Sequence, residues 1–108
     1  MRHVQLIHWN STEGELRAGQ LRVAGYEVAY RVLDNSADLR ELWENPPVAI
    51  VIDLGRLPAQ GRDLAILLRR RKATRHVPLV FVDGDGEKTA RIGDVLPDAI
   101  HTTWAQIR

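Results

Sequence analysis

The sequence predicts an α/β fold: a five-stranded parallel sheet with helices on both faces, in a single domain over residues 1–108. Three observations predict it. Strand-like and helix-like segments alternate five times, with short connections throughout. The segments at residues 4–9, 48–53 and 78–82 are nearly continuous in apolar residues, as strands covered on both faces are. Two of these runs lead into a carboxylate, Asp53 and Asp83, at the edge where open α/β sheets place binding and chemistry.

A chain of 108 residues is long enough for one core and too short for two. The absence of cysteine excludes disulfides, thiol catalysis and a cysteine-based zinc site. No apolar run reaches membrane-spanning length, and residues 1–5 lack the apolar core of a secretory signal. A cytoplasmic protein is expected. The formal net charge of +1 gives no support to a nucleic-acid or membrane partner.

The first strand, residues 4–9, runs into the turn-forming Asn10-Ser11-Thr12. Thr12 with Glu15 three residues on is a capping-box pattern, so a helix is expected over residues 13–24, ended by Gly25. Residues 27–33 alternate, with Val28, Tyr30 and Val32 on one face and Ala29 and Arg31 on the other, as in a half-exposed strand. Asp34-Asn35-Ser36 offers N-caps to a second helix whose buried stripe is Leu39, Leu42 and Trp43, stopped by Pro46-Pro47. The central strand, residues 48–53, delivers Asp53 to the loop 54–61. A third helix buries Leu64, Leu67 and Leu68 and closes in Arg69-Arg70-Arg71-Lys72. After the fourth strand and the Gly84-Asp85-Gly86 loop, Thr89, Ile92, Val95 and Leu96 mark a fourth helix, stopped by Pro97. Residues 99–103 form the fifth strand, and residues 104–108 hold only the first turn of a fifth helix.

Strands one, three and four are the most apolar, whereas two and five carry Glu27, Arg31, His101 and threonines. Polar outer strands predict the order 2-1-3-4-5.

Over essentially its whole length the chain resembles the receiver domain of bacterial two-component response regulators. The likeness rests on the central strand with Asp53 at its end and Gly61 eight residues on, on Val77-Pro78-Leu79-Val80-Phe81-Val82, and on the five-fold alternation. It implies a flavodoxin-like three-layer sandwich with Asp53 at the phosphoacceptor position. It also implies a magnesium-holding acidic pair after the first strand, but His8 and Trp9 stand there. The family's Ser/Thr at the end of strand four falls on Asp83, its strand-five lysine on Thr103, and the following proline on Trp104; the loop proline is shifted by one, to Pro58.

Phosphoryl transfer to a carboxylate is mostly charge neutralisation, normally supplied by a hard divalent ion through oxygen ligands. Trp9 offers no oxygen, and His8 is a poor magnesium ligand. A phosphoryl group would face Asp83 with no lysine to offset it, and one close unit-charge repulsion is worth about 4 kcal/mol at an effective dielectric of 20. Arg56 on the loop is a candidate substitute cation, a minor alternative to the loss of phosphorylation. The reading is a degenerate receiver in which Asp53 orders its loop by accepting backbone N–H bonds. The strand-end rim is then His8, Trp9, Asn10, Arg56, Asp83 and Thr103.

His8, Asp53, Asp83 and Asp85 have donors suited to a transition metal, yet scattered rim residues explain them as well, and neither a metal nor another cofactor is expected. Gly84-Asp85-Gly86 reads as a turn, since its aspartates oppose an anion. The run Arg69 to Lys72, with Arg75 and His76, reads as a solvated face at a helix C-terminus. Trp9 is expected to fill the space where a receiver holds its ion, and Trp104 to lie near the surface receivers use for dimerisation, while Trp43 belongs to the core. A short fifth helix would leave apolar surface on one flank, to be covered by self-association or by a segment outside this chain. The functional expectation is a non-enzymatic, receiver-like signalling or scaffolding module working by protein–protein contact. The alternatives are a phospho-receiver using Asp53 and a small-ligand or metal-binding domain.

Overall fold

The structure is a computed structural model, and it describes residues 3–30, 40, 42–55, 58–84, 92, 96 and 98–106. In chain order the elements are β1 (Val4–Ile7), α1 (Ser11–Val23), β2 (Val28–Tyr30), β3 (Ala49–Asp53), α2 (Pro58–Arg70), β4 (Leu79–Val82), β5 (Ile100–Thr102) and a 3₁₀ turn (Trp104–Gln106). All five strands are parallel, in the order β2-β1-β3-β4-β5 that the composition predicts. The apolar strands are the inner three because both of their faces need cover.

Alternation along the strands builds two cores. Ile7, Ile50, Ile52, Leu79 and Phe81 meet Leu54 and, from α2, Leu64, Ala65 and Leu68; Leu42, Ile92 and Leu96 close this face. On the other face Val4, Leu6, Val51 and Val82 meet Ala18 and Leu21 of α1, together with Trp104. Cover thins along this second face. In the register row Leu6, Val51, Val80, Ile100, exposure rises from 0% at Leu6 to 54% at Ile100. Ile100 of β5 is the exposed apolar end of this row.

The N-cap of α1 is Asn10, whose Oδ1 accepts the Glu13 N–H at 2.9 Å, so the helix begins two residues before the predicted start. Thr12 and Glu15 are both exposed. At the other end Gly25 adopts φ +104°, and the N–H groups of Gly25 and Tyr26 return to the carbonyls of Arg22 and Leu21, a Schellman closure. In α2 the buried stripe is Leu64, Ala65 and Leu68; Leu67, expected inside, is 37% exposed. The helix lies so close to β3 that a Cβ on Gly61 would come within 2.9 Å of Leu54 Cδ2, which is why the small residue Ala65 takes the next inward place. Residues 42–44 are helical, with Leu42 buried and Trp43 packed on the same core; Leu39, Thr89 and Val95 lie outside the described residues.

The basic run is partly structural. Arg69 donates through Nη1 to the carbonyls of Arg75 (2.9 Å) and Val77 (2.6 Å), and through Nη2 to Asp98 Oδ2 (2.8 Å). The Arg71 guanidinium carbon sits 3.8 Å from the Trp43 ring centroid. Buried Thr74 closes the helix end by donating to the Leu68 carbonyl at 2.6 Å. Among the described residues no helix is long and apolar enough to cross a membrane.

Two glycines of α1 yield opposite expectations. A Cβ on Gly14 would lie 2.2 Å from the Tyr30 phenol oxygen, which donates to the Asn10 carbonyl and is not free to swing away. A Cβ on Gly19 meets nothing within 4 Å. Gly14→Ala is expected to lower stability by about 1–3 kcal/mol through overpacking. Gly19→Ala is expected to raise it by about 0.5–1 kcal/mol through helix propensity. Urea midpoints of the two variants, compared at equal slope, check the pair.

Candidate functional site

The carboxyl ends of β1 and β3 place His8 and Asp53 side by side beneath the first turn of α1. Both are buried, Asp53 at 3% exposure and His8 at 1%. Asp53 Oδ1 accepts the Gly55 N–H at 2.7 Å, an Asx-type turn that starts the loop after β3. Its Oδ2 accepts the Trp104 indole Nε1–H at 2.6 Å, across 51 residues of chain. His8 Nε2 lies 3.5 Å from Asp53 Oδ2 and 3.8 Å from Glu13 Oε1.

Trp104 is held from four directions. Its backbone N–H donates to Asp83 Oδ1 at 3.2 Å, and its carbonyl accepts the Gln20 side-chain amide at 2.8 Å. The Arg17 guanidinium carbon stands 5.1 Å from its ring centroid, and the indole N–H is on Asp53. Only 3% of the residue is exposed. Asp83, at the end of β4, adopts φ +60°, a conformation that aspartate tolerates better than most residues. Its own N–H donates to the Thr102 carbonyl at 3.1 Å. Asp83 thus caps the Trp104–Gln106 turn, and the turn lowers its tryptophan into the mouth of the sheet.

Sequence reasoning placed the wrong tryptophan there. Trp9 is half-buried and packs against the α2-side core, and Trp104, expected near a dimerisation surface, is the residue that fills the space beside Asp53. Asn10 turns out to be a cap: besides Glu13, its carbonyl serves the N–H of Gly14 and the hydroxyl of Tyr30. Burial, and after it the Glu15 carboxylate, push the Tyr30 phenol above its ordinary pKa. Thr103 is exposed, its carbonyl accepting the Gln106 N–H. Arg56 and Asp85 lie outside the described residues. Glu13 was missed; the first turn of a helix that follows β1 overhangs the strand ends, and that was the available signal.

His8, Glu13 and Asp53 offer one nitrogen and two oxygens within 4.8 Å of one another, spacing that suits a metal ion. The donor chemistry does not. The Asn10 backbone N–H donates to His8 Nδ1 at 3.1 Å, which leaves the neutral ring's proton on Nε2. Nε2 therefore presents a proton to the two carboxylates where a metal needs a lone pair. A ligating histidine normally donates through its other nitrogen, and here that nitrogen accepts. Magnesium, which the receiver likeness implies, fares no better: the acidic pair is absent, and both oxygens of Asp53 already hold N–H donors. The residues present do not fit the ion.

This is a parallel three-layer α/β domain with the Asp53 carboxylate sealed at the mouth of β3. No family model and no curated protein matches the sequence. Solved structures do. The chain is 26% identical to a proposed response regulator from Chloroflexus aurantiacus (TM-score 0.69), covering 94% of this chain and 84% of that one. It is 25% identical to a sensor protein from Polaromonas sp. JS666 (TM-score 0.71; 94% and 82% covered). The chemotaxis protein CheY4 of Vibrio cholerae shares the fold at 18% identity and a TM-score of 0.73, over 94% of this chain and 84% of that chain. These likenesses support a member of the response regulator receiver-domain family, and with it a signalling module of response-regulator type.

Proposed function

We propose that this domain is a pseudo-receiver: a signalling or scaffolding module that works through protein–protein contact, in the cytoplasm, without conventional aspartyl phosphorylation or any catalysis of its own. The observation that supports this most is the 2.6 Å bond from the Trp104 indole to Asp53 Oδ2. A neutral donor occupies the oxygen that would attack a phosphorus atom, and the other oxygen orders the loop through Gly55. Phosphoryl transfer also needs charge neutralisation around the transferred group. Among the described residues the mouth of β3 offers neutral N–H groups and a second carboxylate, Glu13, instead. The chain keeps the receiver scaffold and uses its rim for packing.

The test is chemical. Incubation with acetyl phosphate and magnesium is expected to leave the intact mass unchanged. A phosphoryl group gained, and mapped by fragmentation to Asp53, would sink the reading. Mapping the residue avoids reliance on an Asp53 variant whose fold is itself perturbed.

A further inference from the structure

Helix α1 is apolar on two opposite sides. Gly14, Ala18 and Leu21 face the sheet, and the side turned furthest from it carries Leu16, 71% exposed, and Val23, 91% exposed. Thr12 and Gly19 complete that outer stripe, and the space above Gly19 is open. A solvated helix usually presents charge there. Here the charges stand beside the stripe, with Glu15 and Arg22 along one edge, both exposed.

We infer that this outer face of α1 is a self-association surface, on which a second copy of this chain packs its own α1 antiparallel about a two-fold axis near Gly19. The charge pattern argues for that occupant. A two-fold of this kind reverses helix direction and keeps each edge on its own side. Leu16 then meets Val23 of the second copy, and Glu15 comes beside Arg22 of the second copy, twice by symmetry. A parallel pair, related by an axis along the helices, would exchange the edges and leave Glu15 and Arg22 of the two copies on opposite sides. Gly19 at the crossing lets the two backbones approach, as close helix contacts require. Arg22 already donates one N–H to the Val28 carbonyl at 3.0 Å, and its guanidinium retains others for Glu15. Exposed ion pairs add little affinity, so the apolar contact drives association and the charges set its direction. The inference rests on the interaction-module reading only in expecting a partner. Phosphorylated Asp53 would overturn that reading and leave this interface standing.

Sedimentation equilibrium of the whole chain across a concentration series tests it, with circular dichroism to confirm that each variant is folded. A reversible dimer is expected. Val23→Glu should weaken it at least about tenfold. Glu15→Arg and Arg22→Glu should each weaken it, and the double exchange should restore association. Ile100→Lys, on the bare β5 flank, should leave it unchanged. A monomer at every concentration up to about 1 mM, a dimer indifferent to Val23→Glu, or one abolished by Ile100→Lys and not by Val23→Glu would each overturn the proposal.

Discussion

Trp104→Ala is expected to lower the unfolding free energy by about 3–5 kcal/mol, the range for removing a large aromatic from a core. That magnitude is unusual for a residue in a three-residue turn after a half-exposed strand. It follows because the ring is 3% exposed and belongs to the same core as Leu6, Val51 and Val82. Trp104→Phe separates packing from hydrogen bonding. Most of the ring volume survives, but Asp53 Oδ2 loses its 2.6 Å donor in a buried place. Leaving a buried acceptor short costs about 1–3 kcal/mol, and a charged one lies toward the top of that range. Urea denaturation of the three proteins gives both differences. A phenylalanine variant within about 0.5 kcal/mol of the parent, the ordinary scatter of neutral substitutions, would mean the indole N–H contributes no more than its ring does.

Much of the fold could be read from the chain because it depends on local pattern. Apolar continuity picked out β1, β3 and β4 as the inner strands, and the polar character of residues 27–33 and 99–103 put β2 and β5 at the edges. Errors arose where two local patterns were equally good. Asn10 with Glu13, like Thr12 with Glu15, pairs a capping side chain with a glutamate three residues on, and the choice between them was made by the Tyr30 hydroxyl and His8 ring that gather around Asn10. In α2, helical spacing admitted Leu67 as readily as Ala65; the close approach at Gly61 turned the helix toward the smaller side chain. The contents of the site were harder to read. Asp53 and His8 were visible as strand ends, but Trp104 reaches Asp53 only after the chain has crossed β4 and β5 and turned back under the Asp83 cap. No periodicity encodes that return.

Removing the charge at Asp53 should destabilise the protein, and the sign is the informative part. In a phosphoacceptor site crowded by carboxylates and lacking its ion, neutralising one carboxylate relieves repulsion, so Asp→Asn there raises stability. Here both oxygens of Asp53 hold donors, the Gly55 N–H at 2.7 Å and the Trp104 Nε1–H at 2.6 Å, while His8 Nε2 stands 3.5 Å from Oδ2 without a hydrogen bond. Glu13 brings a second carboxylate 3.8 Å from the same nitrogen and within 4.8 Å of Asp53, but its side chain is about a third exposed, so solvent screens it. Asp53→Asn keeps one acceptor and turns an NH₂ toward a group that also donates, whichever way the amide is placed. The expected loss is about 1–3 kcal/mol. Asp53→Ala strands both short N–H donors, at about 1–3 kcal/mol each, for a total near 2–6 kcal/mol. Denaturant midpoints settle the direction. A stabilised Asp53→Asn would show that repulsion governs the mouth of β3 after all, and that the indole merely rests against a carboxylate the fold would prefer to be without.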